Sequence, residues 1–203
     1  MSLLLSNGAR KLKHRDLPVL WFLTDEARMD DALGVLMSLP RGASVIFRHY
    51  GARDRAALAG KLAKACRARG LIFLVADDWR LAARVGADGL HLPEHAAARG
   101  PASGARLWRK QRRAWLTVAA HGARGLARAR GLAADAVLLA PVFPTQSHPD
   151  RMALGLARAT ALVRRTRVPV LALGGASPHM LPHVRAAGFA GIAGIGFALK
   201  RKV

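Results

Sequence analysis

Ala136-Val137-Leu138-Leu139-Ala140-Pro141-Val142-Phe143-Pro144-Thr145-Gln146-Ser147-His148-Pro149 decides how the rest of the chain is read. The apolar run Ala136 to Ala140 reads as a strand buried on both faces, which is the mark of a parallel sheet. Pro141 breaks it, and a loop follows that carries three prolines, two hydroxyls and one imidazole. Proline fixes φ and removes donors, so the loop is stiff. A stiff polar loop at the C-terminal end of a buried parallel strand is where α/β proteins keep their chemistry. A plain connector would turn the chain without needing Thr145, Ser147 and His148 so close together.

Downstream, Val168 to Leu173 is a second buried strand and runs into Gly174-Gly175. Ser177-Pro178 then reads as the N-cap and first turn of a helix. Glycines before a helix start let backbone amides approach an anion, which the helix dipole also favours. With Gly191-Ile192-Ala193-Gly194-Ile195-Gly196 as a third strand ending in glycine, the arrangement resembles the phosphate site of a (β/α)8 barrel.

Upstream the same unit repeats. Strands are expected over 17–24, 43–48, 71–76, 89–92 and 114–119, and helices over 28–39, 54–69, 79–85 and 123–131. Residues 93–110 read as one or two short helices. After the quoted strand, helices are expected over 155–166 and 178–187, with a short final helix from Phe197. Strands alternating with helices argue for a parallel sheet, and the strand count argues for closure. The expected architecture is an α/β fold, a single (β/α)8 TIM barrel over 17–203, preceded by a basic, frayed segment over 1–16.

The 203 residues suffice for one domain with a full core and are slightly short for such a barrel. No apolar run is long enough to span a membrane. In residues 1–15 the apolar part precedes the charge, the reverse of a secretory signal, so a cytoplasmic enzyme is expected. Cys66 stands alone and reads as a buried helix residue. The net charge of +21, from 33 Lys and Arg against 12 Asp and Glu, would attract phosphorylated substrates or nucleic acid. The arginines are scattered along alanine-rich helices and no nucleic-acid motif interleaves them with aromatics, so no specific nucleic-acid partner is expected. Oligomeric state is not written in the sequence; a homodimer stays open.

These strands place polar residues at most C-terminal ends: Asp25, Arg48, His49, Asp77, His91, His121, Thr145, Ser147 and His148. Asp77 is able either to hold Mg²⁺ together with substrate phosphates or to cap the next helix, as is Asp78. His91 reads as a core histidine or a direct participant, and His121 as a general acid/base or phosphate donor. Arg48 is suited to clamping a phosphate or to an interior salt bridge.

Four motifs in order, Gly86-Ala87-Asp88-Gly89-Leu90-His91-Leu92, Pro141-Val142-Phe143-Pro144-Thr145-x-Ser147, Pro169-Val170-x-Ala172-x-Gly174-Gly175 and Ala187-Gly188-x-x-Gly191-Ile192-Ala193, resemble the thiamine phosphate synthase and TenI-like superfamily. The likeness runs from about Leu17 to Leu199. It implies a (β/α)8 barrel. Its synthases join hydroxymethylpyrimidine diphosphate to a thiazole phosphate with Mg²⁺ and release pyrophosphate by a dissociative displacement, in which placement and charge stabilisation do most of the work.

The resemblance assigns the thiazole phosphate to Thr145, Ser147, Gly174, Gly175 and the Ile195-Gly196 amides, all present. On the pyrimidine diphosphate side the chain departs from the family. Of Gln-x-Arg-x-Lys after strand two only Arg48 remains, and Asn-Asp after strand three is Ala76-Asp77. The second metal carboxylate falls on Ala96, with Glu94 two residues earlier; Ser-x-His keeps only His121, and the loop lysine is His148. The tautomerase branch isomerises a thiazole phosphate without metal through a histidine whose place is Pro141, leaving His121, His91 or His148 to move the proton. Three readings follow: a synthase with a rearranged metal site at Asp77 and Glu94, a thiazole phosphate tautomerase, and a non-catalytic barrel that binds a phosphate ester.

Overall fold

The computed structural model describes residues 17–29, 31–145 and 152–196. Eight strands close in sequence order into a parallel barrel, with β1 (Leu20–Leu23) hydrogen-bonded to both β2 (Ser44–Phe47) and β8 (Gly191–Gly194). Between them lie β3 (Ile72–Ala76), β4 (Gly89–Leu92), β5 (Trp115–Ala120), β6 (Ala136–Leu139) and β7 (Val170–Leu173). The helices are α1 (Ala32–Ser38), α2 (Arg55–Arg69), α3 (Trp79–Val85), α4 (Glu94–Arg99), α5 (Ser103–Arg112), α6 (Ala123–Gly131), α7 (Leu156–Val163) and α8 (Leu181–Ala186). None of the described helices is long and apolar enough to cross a membrane.

The expected barrel is therefore present, and the differences are local. α1 starts at Ala32 rather than Arg28, because Asp31 accepts the Gly34 N–H at 2.8 Å and fixes the first turn there. Residues 93–110 divide at Gly100-Pro101, where proline forbids a continuous helix. The stretch after Ser177 opens as a single 3₁₀ turn, Pro178–Met180, before the six-residue α8. Ser177 makes no capping bond to the backbone; its hydroxyl lies 3.0 Å from His179 Nδ1. The 1–16 segment and the final helix expected from Phe197 lie outside the described residues, as do Ser147 and His148.

Alternation along each strand builds two apolar shells. Side chains facing the helices, such as Phe22, Val45, Phe73, Leu116 and Leu139, join the larger outer core. Those facing inward, among them Trp21, Leu23, Ile46, Leu74, Leu138 and Leu171, fill the barrel. Trp21 meets Trp115 edge to face across the interior at 6.5 Å, and its indole N–H donates to the Pro18 carbonyl at 2.6 Å. Cys66 is fully buried in the outer core, and burial pushes its thiol up to about 12.

His91 is the ionisable group inside the barrel among the described residues. Opposite Thr117 in the β4–β5 register, it sits 2.9 Å from the Thr117 hydroxyl through Nδ1 and is 4% exposed. Burial, reinforced by the Arg48 charge, pushes its pKa down to about 3. The unfolded chain therefore takes up a proton that the native barrel refuses.

Two outcomes follow from this interior. Leu74→Ala should lower stability by about 2–5 kcal/mol in denaturant unfolding, because a fully buried barrel side chain leaves a cavity. Native stability should be highest above pH 6.5 and fall as pH drops from 6.5 towards 3, with His91 accounting for roughly 4 kcal/mol of the loss. His91→Gln should flatten that slope in pH-dependent melting; an unchanged slope contradicts a neutral buried His91.

Candidate functional site

Barrel closure brings the C-terminal strand ends to one rim. At the β6–β7–β8 sector, the proline loop is stitched to the end of β7: the Val142 N–H donates to the Leu173 carbonyl at 2.9 Å and the Phe143 N–H to the Gly174 carbonyl at 3.1 Å. Gly174 and Gly175 hold φ of +88° and +64°, a left-handed backbone that glycine adopts at little cost. A Cβ on Gly175 would also overlap the Pro144 carbonyl oxygen. These glycines are there because the loop after β6 lies directly against them. Leu173 stands opposite Ala193 in the β7–β8 register, so Gly174-Gly175 and Ile195-Gly196 leave neighbouring strands side by side. Thr145 is half-buried at the edge of this sector. The six-residue α8 adds little macrodipole here, so any anion would rest on loop amides rather than on a helix.

The β2–β3 sector is organised by a residue that the sequence did not single out. Arg55, in the first turn of α2, donates to the His49 carbonyl through Nε at 2.8 Å and to the Ala76 carbonyl at 2.8 Å. It also pairs with Asp78 at 3.2 Å and lies against the Phe47 and Tyr50 rings. One guanidinium therefore ties the ends of β2 and β3 together. Its only signal in sequence was its place just after the Asp54 cap.

Asp78, not Asp77, caps α3, accepting the Leu81 N–H at 2.9 Å. Asp77 is left to the rim, with φ of +60° and its N–H donated to the His91 carbonyl at 2.9 Å. Its side chain is 35% exposed and lies 3.6 Å from His95 Nε2. Tyr50 lies within reach of both Arg48 and Asp77. Burial pushes its hydroxyl up, Asp77 adds to that, and the charge and hydrogen bond of Arg48 oppose it. His49 is buried at 5% exposure; its Nδ1 lies 2.9 Å from the Thr24 hydroxyl and its ring stacks on Phe47 of the outer core. Burial lowers its pKa, so it belongs to the structure beneath the rim.

In the β4–β5 sector, Glu94 and His121 meet, although 27 residues separate them. Glu94 Oε2 contacts His121 Nδ1, and Oε1 accepts the His121 N–H at 3.4 Å. Both remain partly exposed. His91 lies within the barrel rather than on its rim, and His148 and Ser147 fall outside the described residues.

Mg²⁺ takes one or two carboxylates and fills the rest of its shell with water and substrate oxygens. Asp77 suits that role: it is accessible, at the rim, and released from capping. Glu94 suits it poorly, since both its oxygens are engaged by His121. Among the described residues, no group of three or more His, Cys, Asp or Glu is gathered for a metal.

A family model described as thiamine monophosphate synthase matches residues 20–197. The chain is 30% identical over 192 residues to a putative thiamine-phosphate synthase 2 of Aquifex aeolicus, covering 91% of this chain and 100% of that one. It is 32% identical over 186 residues to a thiamine-phosphate synthase of Prochlorococcus marinus, covering 88% of this chain and half (50%) of that one. A solved thiamine phosphate pyrophosphorylase from Pyrococcus furiosus superposes with a TM-score of 0.74 at 23% identity, over 90% of this chain and 87% of the other, a likeness of fold. With the family model spanning nearly the whole barrel, the chain belongs to the thiamine monophosphate synthase family, as a barrel of thiamine biosynthesis.

Proposed function

We propose that the barrel binds a thiazole phosphate at the β6–β7–β8 sector and couples it to hydroxymethylpyrimidine diphosphate, releasing pyrophosphate. The observation that carries this is the pairing of two glycine-ended strands, β7 and β8, against the proline loop, with Gly174 and Gly175 in left-handed backbone. Such a lining offers amides to a phosphate without side chains in the way.

Across the mouth, Arg48 and Asp77 face the diphosphate. Arg48 neutralises charge on the leaving group, and Tyr50 holds the guanidinium by its hydrogen bond. Asp77 would be the residue that holds Mg²⁺, which would supply further neutralisation of the leaving group. Bond cleavage leads, so the chain's task is to keep the thiazole nitrogen facing the pyrimidine methylene while water is excluded. With one carboxylate where the family uses two, the reaction should depend steeply on that residue.

A second reading has its own support. The Glu94–His121 contact is an acid–base pair at the mouth and needs no metal, as a thiazole phosphate tautomerase requires.

Thiamine phosphate formation from the two phosphorylated precursors, followed with and without Mg²⁺, separates the readings. The proposal expects Mg²⁺-dependent product and a loss of at least about 100-fold in Asp77→Ala. No product, together with metal-independent isomerisation lost in His121→Gln, overturns it in favour of the tautomerase. Neither reaction, with thiazole phosphate still bound, leaves a non-catalytic binding barrel.

A further inference from the structure

A second charged feature lies away from the mouth. A groove of about 640 Å³ runs between α5 and the chain leaving α6, over the beginnings of β4 and β5. Its floor is apolar, formed by Leu90, Ala105, Ala114 and Leu116, all at most 7% exposed. Its wall carries Arg106, Arg109, Lys110 and Arg113 against a single acid, Asp135.

That acid is already committed. Arg109 pairs with Asp135 at 3.1 Å and also donates to the Ala133 carbonyl at 2.6 Å. Asp135 accepts the Leu116 N–H at 2.7 Å as well. This set fixes α5 to the barrel and neutralises itself. Arg106, Lys110 and Arg113 are left without an ion pair among the described residues. The Nε of Arg106 donates to the Pro101 carbonyl at 3.1 Å, which sets the side chain along the groove and leaves the terminal nitrogens of its guanidinium for a partner.

Helix requirements do not account for these cations. Arg106 and Lys110, four residues apart on α5, share one face, where like charges repel, and Arg113 follows them as the left-handed C-cap at φ +51°. Lys110 and Arg113 suit the C-terminal end of the helix dipole, but Arg106 stands in the first turn, where a cation is disfavoured. Solubility does not account for the arrangement either, since it would be served by the same charges dispersed over the surface. What the stripe does fit is an anion held from one side over an apolar floor.

We propose that this groove binds a small organic di- or triphosphate bearing a planar ring. The phosphates meet the forks of Arg106 and Arg113 and the ammonium of Lys110, and the ring lies against Pro101 and Leu132, partly exposed apolar residues of the lining. The volume is within the roughly 300–1,000 Å³ of small-molecule sites. The site lies apart from the catalytic mouth and does not depend on the reaction proposed for it.

The test is calorimetric titration of the full chain with ADP, and with inorganic pyrophosphate, at about 0.15 M salt to screen diffuse attraction. ADP should bind saturably and several-fold more tightly than pyrophosphate. Arg106→Glu/Lys110→Glu should weaken ADP by at least about tenfold. Lys61→Glu/Lys64→Glu, the same charge change on exposed positions of α2, should weaken it by less than about threefold. Gly175→Val, whose side chain collides with the proline loop at the mouth, should leave ADP binding intact. Absence of ADP binding, equal weakening by the α2 pair, pyrophosphate binding as tightly as ADP, or loss of binding in a folded Gly175→Val protein would each overturn the proposal.

Discussion

The pairing of β1 with β8 is the constraint on which the rest depends. Leu20, Trp21 and Phe22 lie opposite Ile192, Ala193 and Gly194, and with that seam closed no strand edge remains. Closure has a cost, because strands far apart in sequence must meet before any of them is fully covered. It is offset by two apolar shells, one inside the barrel and one beneath the helices. Closure also fixes direction. Every strand runs the same way, so every C-terminal loop reaches one rim, and residues from Thr24 to Gly196 become neighbours without any local sequence signal.

The rim divides into sectors of different character. Between β6 and β8 it is backbone: glycines in left-handed conformation, a proline-stiffened loop and hydrogen bonds that lock the two together. A surface of backbone groups locked by hydrogen bonds suits a group that only has to be held. Between β2 and β5 it is side chain: Arg55 anchors two strand ends, Asp77 stands clear of the helix that Asp78 caps, and Glu94 is taken up by His121. The two carboxylates with which a metal site would be built are thus in different states. One is accessible beside an imidazole, and the other is engaged as the partner of a histidine.

Much of the fold was legible because βα repetition is a strong signal. Apolar runs such as Leu71 to Ala76, ended by polar residues and followed by capped helices, give type and order even when bounds shift. Bounds moved where a side-chain bond decides, as Asp31 does for α1, or where proline splits a helix at Gly100-Pro101. The backbone half of the site was legible for a similar reason: glycine and proline announce themselves locally. The side-chain half was not. Arg55 is one arginine among many until β2 and β3 close beside it, and Glu94 meets His121 only because β4 and β5 pair. His91 and His49 were read with the rim because both stand near strand ends; the burial of each side chain removes them from it.

The central claim is that the paired ends of β7 and β8 hold the phosphate of a small phosphate ester. Equilibrium binding of thiazole phosphate to the unmodified protein and to Gly175→Val, each shown folded by circular dichroism, tests it most directly. The account predicts saturable one-to-one binding to the first and no measurable binding to the second, whose side chain would collide with the Pro144 carbonyl and push the proline loop away from the glycines. Undiminished binding to a folded Gly175→Val protein would place the phosphate elsewhere and contradict the claim.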